Sequence, residues 1–123
     1  MVATTDLSRE GTGKAMQQLL NMAKRPTAVI AFNDYVALDA IQYAKKAKVK
    51  INMDISFVSF ANMPICNYME NPPLASVEQF PYQQGEKSAQ VLIQLLDEQK
   101  KDALQRVPYK IILDPKLEIH NRQ

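Results

Sequence analysis

The chain has 123 residues, 46% hydrophobic and 23% charged, the size and composition of one globular domain rather than a disordered or low-complexity segment. With 15 basic and 13 acidic residues its net charge is +2, too balanced for a nucleic-acid or membrane-surface footprint. No apolar run is long enough to span a bilayer, MVATTDLSRE lacks the apolar stretch of a secretory leader, and the single cysteine, Cys66, can close no internal disulfide, which suits a reducing compartment.

In chain order, Val2 to Thr5 reads as a short strand, and Asp6 or Ser8 is placed to cap a helix. Ala15, Met16, Leu19, Leu20 and Ala23 repeat at three and four, which predicts an amphipathic helix over about Ser8 to Lys24, ended by Arg25-Pro26. Ala28 to Phe32 is a continuous apolar run, the pattern of a strand covered on both faces. After Asn33-Asp34 the set Val36, Ala37, Ala40, Ile41 and Ala44 is again helical, to about Ala47. A second strand is expected over Ile55 to Phe60, a loop or short helix over Asn62 to Met69, and a third strand over Leu74 to Gln79. Pro81 suits the first turn of a long helix with the stripe Tyr82, Gly85, Ala89, Leu92, Ile93 and Leu96. Val107 to Leu113 reads as the last strand, stopped by Asp114-Pro115. Strands alternating with helices of this length predict an α/β fold with a parallel sheet flanked by helices.

Ligands of open parallel sheets bind beyond the carboxyl ends of the strands, where Asn33-Asp34 falls. The same place is a helix N-terminus, where Asn and Asp are favoured caps, and the spacing alone favours the cap. Other chemistry is sparse. His120 lies near the end of the chain and reads as a solvated tail residue, Cys66 as a small buried one, and Lys45, Lys46, Lys48 and Lys50 as a solvated helix end. No metal-ligand spacing, nucleophile–base pair or phosphate loop is present, so no cofactor, metal or catalytic residue is expected, and the chain does not read as an enzyme.

PTAVIAFNDYVALDAI, followed by DISFVSFANMPICNYMENPPLASVEQFPYQQGEKSAQVLIQLL, resembles the C-terminal part of LacI/GalR-family transcription regulators from about Ser8 to Leu113. The order of the pieces carries the resemblance: PTA-strand-Asn-Asp, a helix, Asp-Ile-Ser-strand, Pro-Pro-Leu, a Val-x-Gln strand and a glycine-containing helix. It implies a partial periplasmic-binding-protein-like lobe with a small effector, sugar-like in many relatives, in a cleft between two lobes. Operator DNA would be read only by a separate helix-turn-helix headpiece absent from this stretch, in a homodimeric, cytoplasmic protein with no membrane contact. The implied organisation is residues 1–79 as C-terminal lobe, 80–106 as a helix belonging to a missing N-terminal lobe, and 107–123 as return strand and tail. A fragment of a periplasmic solute-binding protein, which shares the lobe fold, is the alternative.

Carried over residue by residue, the resemblance implies effector contacts at Asn33, Asp34, Gln79 and Phe80, gathered on one edge of the sheet. Many relatives have glycine, aromatic, aspartate where this chain has Ser59, Phe60, Ala61, so the neighbouring Asn62 is the expected substitute. An aromatic that often walls the cleft falls near Gly13, which has no side chain to offer. The implied dimer patch holds Leu38, Ile41, Ile65, Tyr68 and Met69. The long helix, lacking its usual partner lobe, is expected to hide its stripe against another copy or a rearranged part of its own chain.

Overall fold

Ser8 starts the first helix, α1 (Arg9–Leu20), by accepting the Gly11 N–H on its hydroxyl at 2.9 Å. Asp6 accepts the Ser8 N–H at 2.9 Å and the Ser8 hydroxyl at 2.6 Å, and these two bonds hold its carboxyl below the ordinary range. The computed structural model describes residues 1–98 and 110–120. It divides into two units, Met1–Glu78 with Lys116–Gln123, and Gln79–Pro115. In the first unit, α1 is followed by β1 (Ala28–Ile30), α2 (Asp34–Lys46), β2 (Ser56–Phe60), a 3-10 turn (Pro64–Tyr68), β3 (Ala75–Glu78) and β4 (Lys116–Ile119). The second unit holds α3 (Pro81–Glu98).

The sheet runs in the order β1-β2-β3-β4. Its first three strands are parallel, with Ala28 beside Ser56 and Val58 beside Ala75. β4 departs from the expected all-parallel arrangement: it pairs antiparallel with β3, Ile119 opposite Ala75. Its position also corrects the expected last strand. Lys110 to Leu113 form no strand, residues 107–109 lie outside the described residues, and the ladder begins after Pro115. A proline cannot donate to a ladder, so it marks where this strand starts rather than where one stops. Val2 to Thr5 likewise form no strand; the Thr5 hydroxyl instead meets that of Thr12 at 3.1 Å.

One core fills the space between α1, α2 and one sheet face: Met16, Leu20, Ala40, Ile41, Ala44, Val49, Ile55, Phe57, Cys66 and Met69. Phe57 and Ile55 are fully buried, each worth about 1.5–3 kcal/mol relative to exposure. Gly13 is part of this packing and walls no cleft. It is buried where α1 crosses α2, and a Cβ there would lie 3.2 Å from Tyr43 Cδ2. The other sheet face is not covered as expected: among the described residues β1 is an edge strand, and Ile30 is 74% exposed. On α3, Leu92, Ile93 and Leu96 are each more than half exposed, although Ile111, Ile112 and Leu113 of the same unit line a groove with Val91, Leu92 and Leu95.

Candidate functional site

The carboxyl ends of β1 and β2 carry the polar residues of the first unit. Asn33 is extended (φ −155°, ψ 179°), and its Oδ1 accepts the Val36 N–H at 2.9 Å, closing the first turn of α2. That bond uses the amide oxygen alone. Among the described residues the Asn33 Nδ2, a double donor, has no hydrogen-bond partner, and the side chain is half-buried. Cap and ligand contact therefore compete for nothing at Asn33, because they use different atoms.

Asp34 corrects its expected role. It is 0% exposed, beneath the surface on which an effector contact would lie. Its Oδ1 accepts from the hydroxyls of Ser59 and of Ser76, the latter at 2.9 Å, and its Oδ2 accepts the Met63 N–H at 2.6 Å. One carboxylate thus ties the start of α2 to β2, to β3 and to the loop after β2, with three charge-assisted bonds to offset its burial. The same carboxylate and burial together push the Cys66 thiol up to about 12, burial being the larger cause.

That loop is tightly held. Ala61 (φ 96°) and Asn62 (φ 47°) both lie on the positive side of φ, uncommon for residues with a Cβ. Each successive N–H has a fixed acceptor: Ala61 to the Val77 carbonyl at 3.0 Å, Asn62 to the Ser76 hydroxyl at 2.9 Å, and Met63 to Asp34. The turn exposes part of the Asn62 side chain, whose Nδ2 donates to Glu78 Oε2 at 3.1 Å. His120 is not a solvated tail residue. Its N–H donates to the Leu74 carbonyl at 2.9 Å, its Nδ1 lies 3.0 Å from the Pro73 carbonyl oxygen, and its Nε2 lies 3.1 Å from Asn62 Oδ1.

Asn33, Asp34 and Asn62 are thus brought to one edge of the first unit's sheet. Gln79 and Phe80 begin the second unit. There the Gln79 carbonyl accepts from Gln84 Nε2 at 2.5 Å, and Phe80, at φ 53°, accepts the Gln84 N–H on its carbonyl at 3.0 Å. Glu78, Ser76 and His120 are the residues that sequence reasoning missed. Ser76 and Glu78 stand two apart on β3, a period-2 polar pair in an otherwise apolar strand, and that was the available signal.

A surface groove of about 270 Å³ lies between α2 and the 3-10 turn, and Leu38, Ile41, Ile65, Tyr68 and Met69 all line it. Ile41 and Met69 are core residues with only an edge in the groove, whereas Tyr68 is 86% exposed. Lys45 Nζ and Glu70 Oε2 pair at 2.6 Å beside it, and this bond holds the Glu70 carboxyl below its ordinary range.

Residues 1–113 match the family model of the periplasmic binding protein-like domain. The chain belongs to that family. It is 35% identical over 92 residues to the HTH-type transcriptional repressor CytR of Escherichia coli, a match covering 75% of this chain and 27% of the repressor. To the repressor PurR of Vibrio atlanticus it is 32% identical over 93 residues, covering 76% of this chain and 27% of that protein. A LacI transcriptional regulator from Bacillus cereus shares the fold with a TM-score of 0.79 at 26% identity, over 94% of this chain and 41% of that one. A ribose-bound LacI-family regulator from Enterococcus faecalis gives 0.69 at 28% identity, over 80% of this chain and 36% of that one. In sequence and fold the chain is similar to part of LacI-family regulators, and it spans 27% of the length of each of these two curated relatives.

Proposed function

We propose that this chain senses a small, hydroxyl-rich effector of sugar type for a bacterial LacI-type regulator, and dimerises it. Operator binding is done by a separate helix-turn-helix domain of the same cytoplasmic protein. The observation that carries the reading is the Asn33 side chain. Its oxygen is spent on the helix cap while its two N–H donors remain unpartnered among the described residues, half-buried at the carboxyl edge of a parallel sheet. Asn62 adds a further donor on the same edge. Asp34 holds the edge in place from below. Donors of this kind select ligands rich in acceptor oxygens.

The reading includes no catalytic step: the relatives matched are repressors and regulators, and the edge carries donors without a nucleophile–base pair. Dimerisation uses the groove between α2 and the 3-10 turn, into which Tyr68 of a second copy fits, each patch meeting its own kind about a two-fold axis. The helix stripe of α3 is covered in the assembled regulator, by a second copy or by the rest of the protein. The test is a titration of pentoses, hexoses and their disaccharides against operator-bound intact regulator. A saturable change in operator affinity with at least one of them is expected, and a flat response to the whole panel would contradict the reading.

A further inference from the structure

The lone histidine makes two ring contacts of one kind. The Pro73 carbonyl oxygen, 3.0 Å from Nδ1, can only accept. Asn62 Oδ1, 3.1 Å from Nε2, is turned toward the ring because the same amide gives its nitrogen to Glu78 at 3.1 Å. Turned the other way, the amide would set its oxygen against the Glu78 carboxylate. The ring thus lies between two acceptor oxygens, and the Asn62 amide is held between the ring at its oxygen and Glu78 at its nitrogen. With the oxygen on His120 and one N–H on Glu78, what Asn62 has left to offer is its second N–H, a donor.

We infer that His120 is a positioning residue that, opposite Glu78, holds the Asn62 amide in place by its oxygen and so keeps its second N–H available as a donor to an effector oxygen. The inference deepens the proposed function and rests on it only for the effector; the coupling of His120 to Asn62 is a property of the unliganded chain. Two ring contacts and the backbone N–H bond to Leu74 hold the residue in place from the Pro73–Leu74 segment and the loop after β2, neither of which brings a charge to it. The charged groups around it are Glu78 on β3, beyond the amide, and Glu118 on β4, which is paired with Lys116 at 2.7 Å. Asp34 is occupied by Ser59, Ser76 and Met63 and faces neither ring nitrogen.

The experiment is nuclear magnetic resonance on the ¹⁵N-labelled chain without effector. A single imidazole Hε1 signal reports the ring, since the sequence has 1 histidine. The Asn62 side-chain NH₂ pair reports the amide. It is expected to exchange about tenfold faster in His120→Asn, whose amide reaches Pro73 but not Asn62. In His120→Gln, whose amide takes the place of Nε2–H, exchange is expected to stay within about twofold of wild type. The His120 backbone amide, bonded to Leu74, should remain protected in both variants. Equal exchange in His120→Asn and wild type, or loss of β4 protection in both variants, would each overturn the assignment, the last by making His120 a strand anchor alone. None of these outcomes depends on an effector, so failure here is distinguishable from failure of the sensing role, which the sugar titration reads.

Discussion

Removing the Asp34 carboxylate should be among the costliest single changes in this chain. Asp34→Ala leaves three donors without their acceptor: the Ser59 hydroxyl, the Ser76 hydroxyl and the Met63 N–H. An orphaned buried donor costs about 1–3 kcal/mol; the two hydroxyls can rotate in search of other acceptors and the backbone N–H cannot, so the total is about 3–5 kcal/mol. With a urea slope of about 2 kcal/mol/M, the midpoint should fall by roughly 2 M with the slope unchanged. Asp34→Asn keeps one oxygen but sets an NH₂ group where one acceptor stood, and should cost about 1–2 kcal/mol. The decisive arm is Ser59→Ala in the Asp34→Ala background. If the cost comes from orphaned donors, deleting one of them restores about 1 kcal/mol, so the double variant is more stable than the sum of the singles predicts. Strict additivity, or an Asp34→Ala cost below about 1 kcal/mol, would refute the reasoning.

Cys66, with its thiol pushed up to about 12 from an ordinary 9.0, should react with a disulfide reagent at pH 8 only on unfolding, since its thiolate fraction is about a thousandfold below that of a free cysteine. Because the folded value is the higher one, the thiol's contribution to stability is present below about pH 9 and is lost as pH rises from 9 toward 12, which urea midpoints across that range will show. Ala61→Gly should stabilise by about 0.5–1 kcal/mol, because relief of a left-handed alanine at φ 96° exceeds the chain entropy that glycine adds; a lower urea midpoint would contradict this. Asp6, held low by Ser8, stabilises the start of α1 above its ordinary value of 3.8 and ceases to as pH falls through its folded value, so the Gly11 amide should lose exchange protection there. Tyr68→Glu should move the regulator's dimer–monomer equilibrium toward monomer in sedimentation, without lowering the melting temperature of the monomer.

What was legible in the sequence was local. The three- and four-residue spacing of Met16, Leu19 and Leu20, and of Val36, Ala37, Ala40 and Ile41, places α1 and α2, and Ser8 and Asn33 do cap them. What was illegible depends on contacts far along the chain. Asp34 looks like a second polar residue at a strand end; its partners are Ser59, Met63 and Ser76, brought beside it only by the parallel crossovers. His120 looks like a tail because Pro73 and Asn62 are distant in sequence, and only the antiparallel pairing of β4 with β3 joins them. The same pairing explains the misplaced last strand: Ile111 to Leu113 is the more apolar run, yet Leu117 and Ile119, alternating with charges, suit a half-exposed edge beside β3. The run Ala28 to Phe32 reads as doubly covered, whereas here its outward residues, Ile30 and Phe32, face solvent at what is, among the described residues, an edge of the sheet.

The central proposal, that Asn33 caps α2 with its oxygen and holds effector with its nitrogen, is tested most directly by Asn33→Asp in the intact regulator. Aspartate keeps the capping oxygen, so the melting temperature should stay within about 1–2 °C of wild type. It replaces the two N–H donors with an acceptor, so the effector concentration giving half the change in operator affinity should rise about 10- to 100-fold, with operator affinity in the absence of effector unchanged. An effector response identical to wild type in a protein that remains folded would contradict the account.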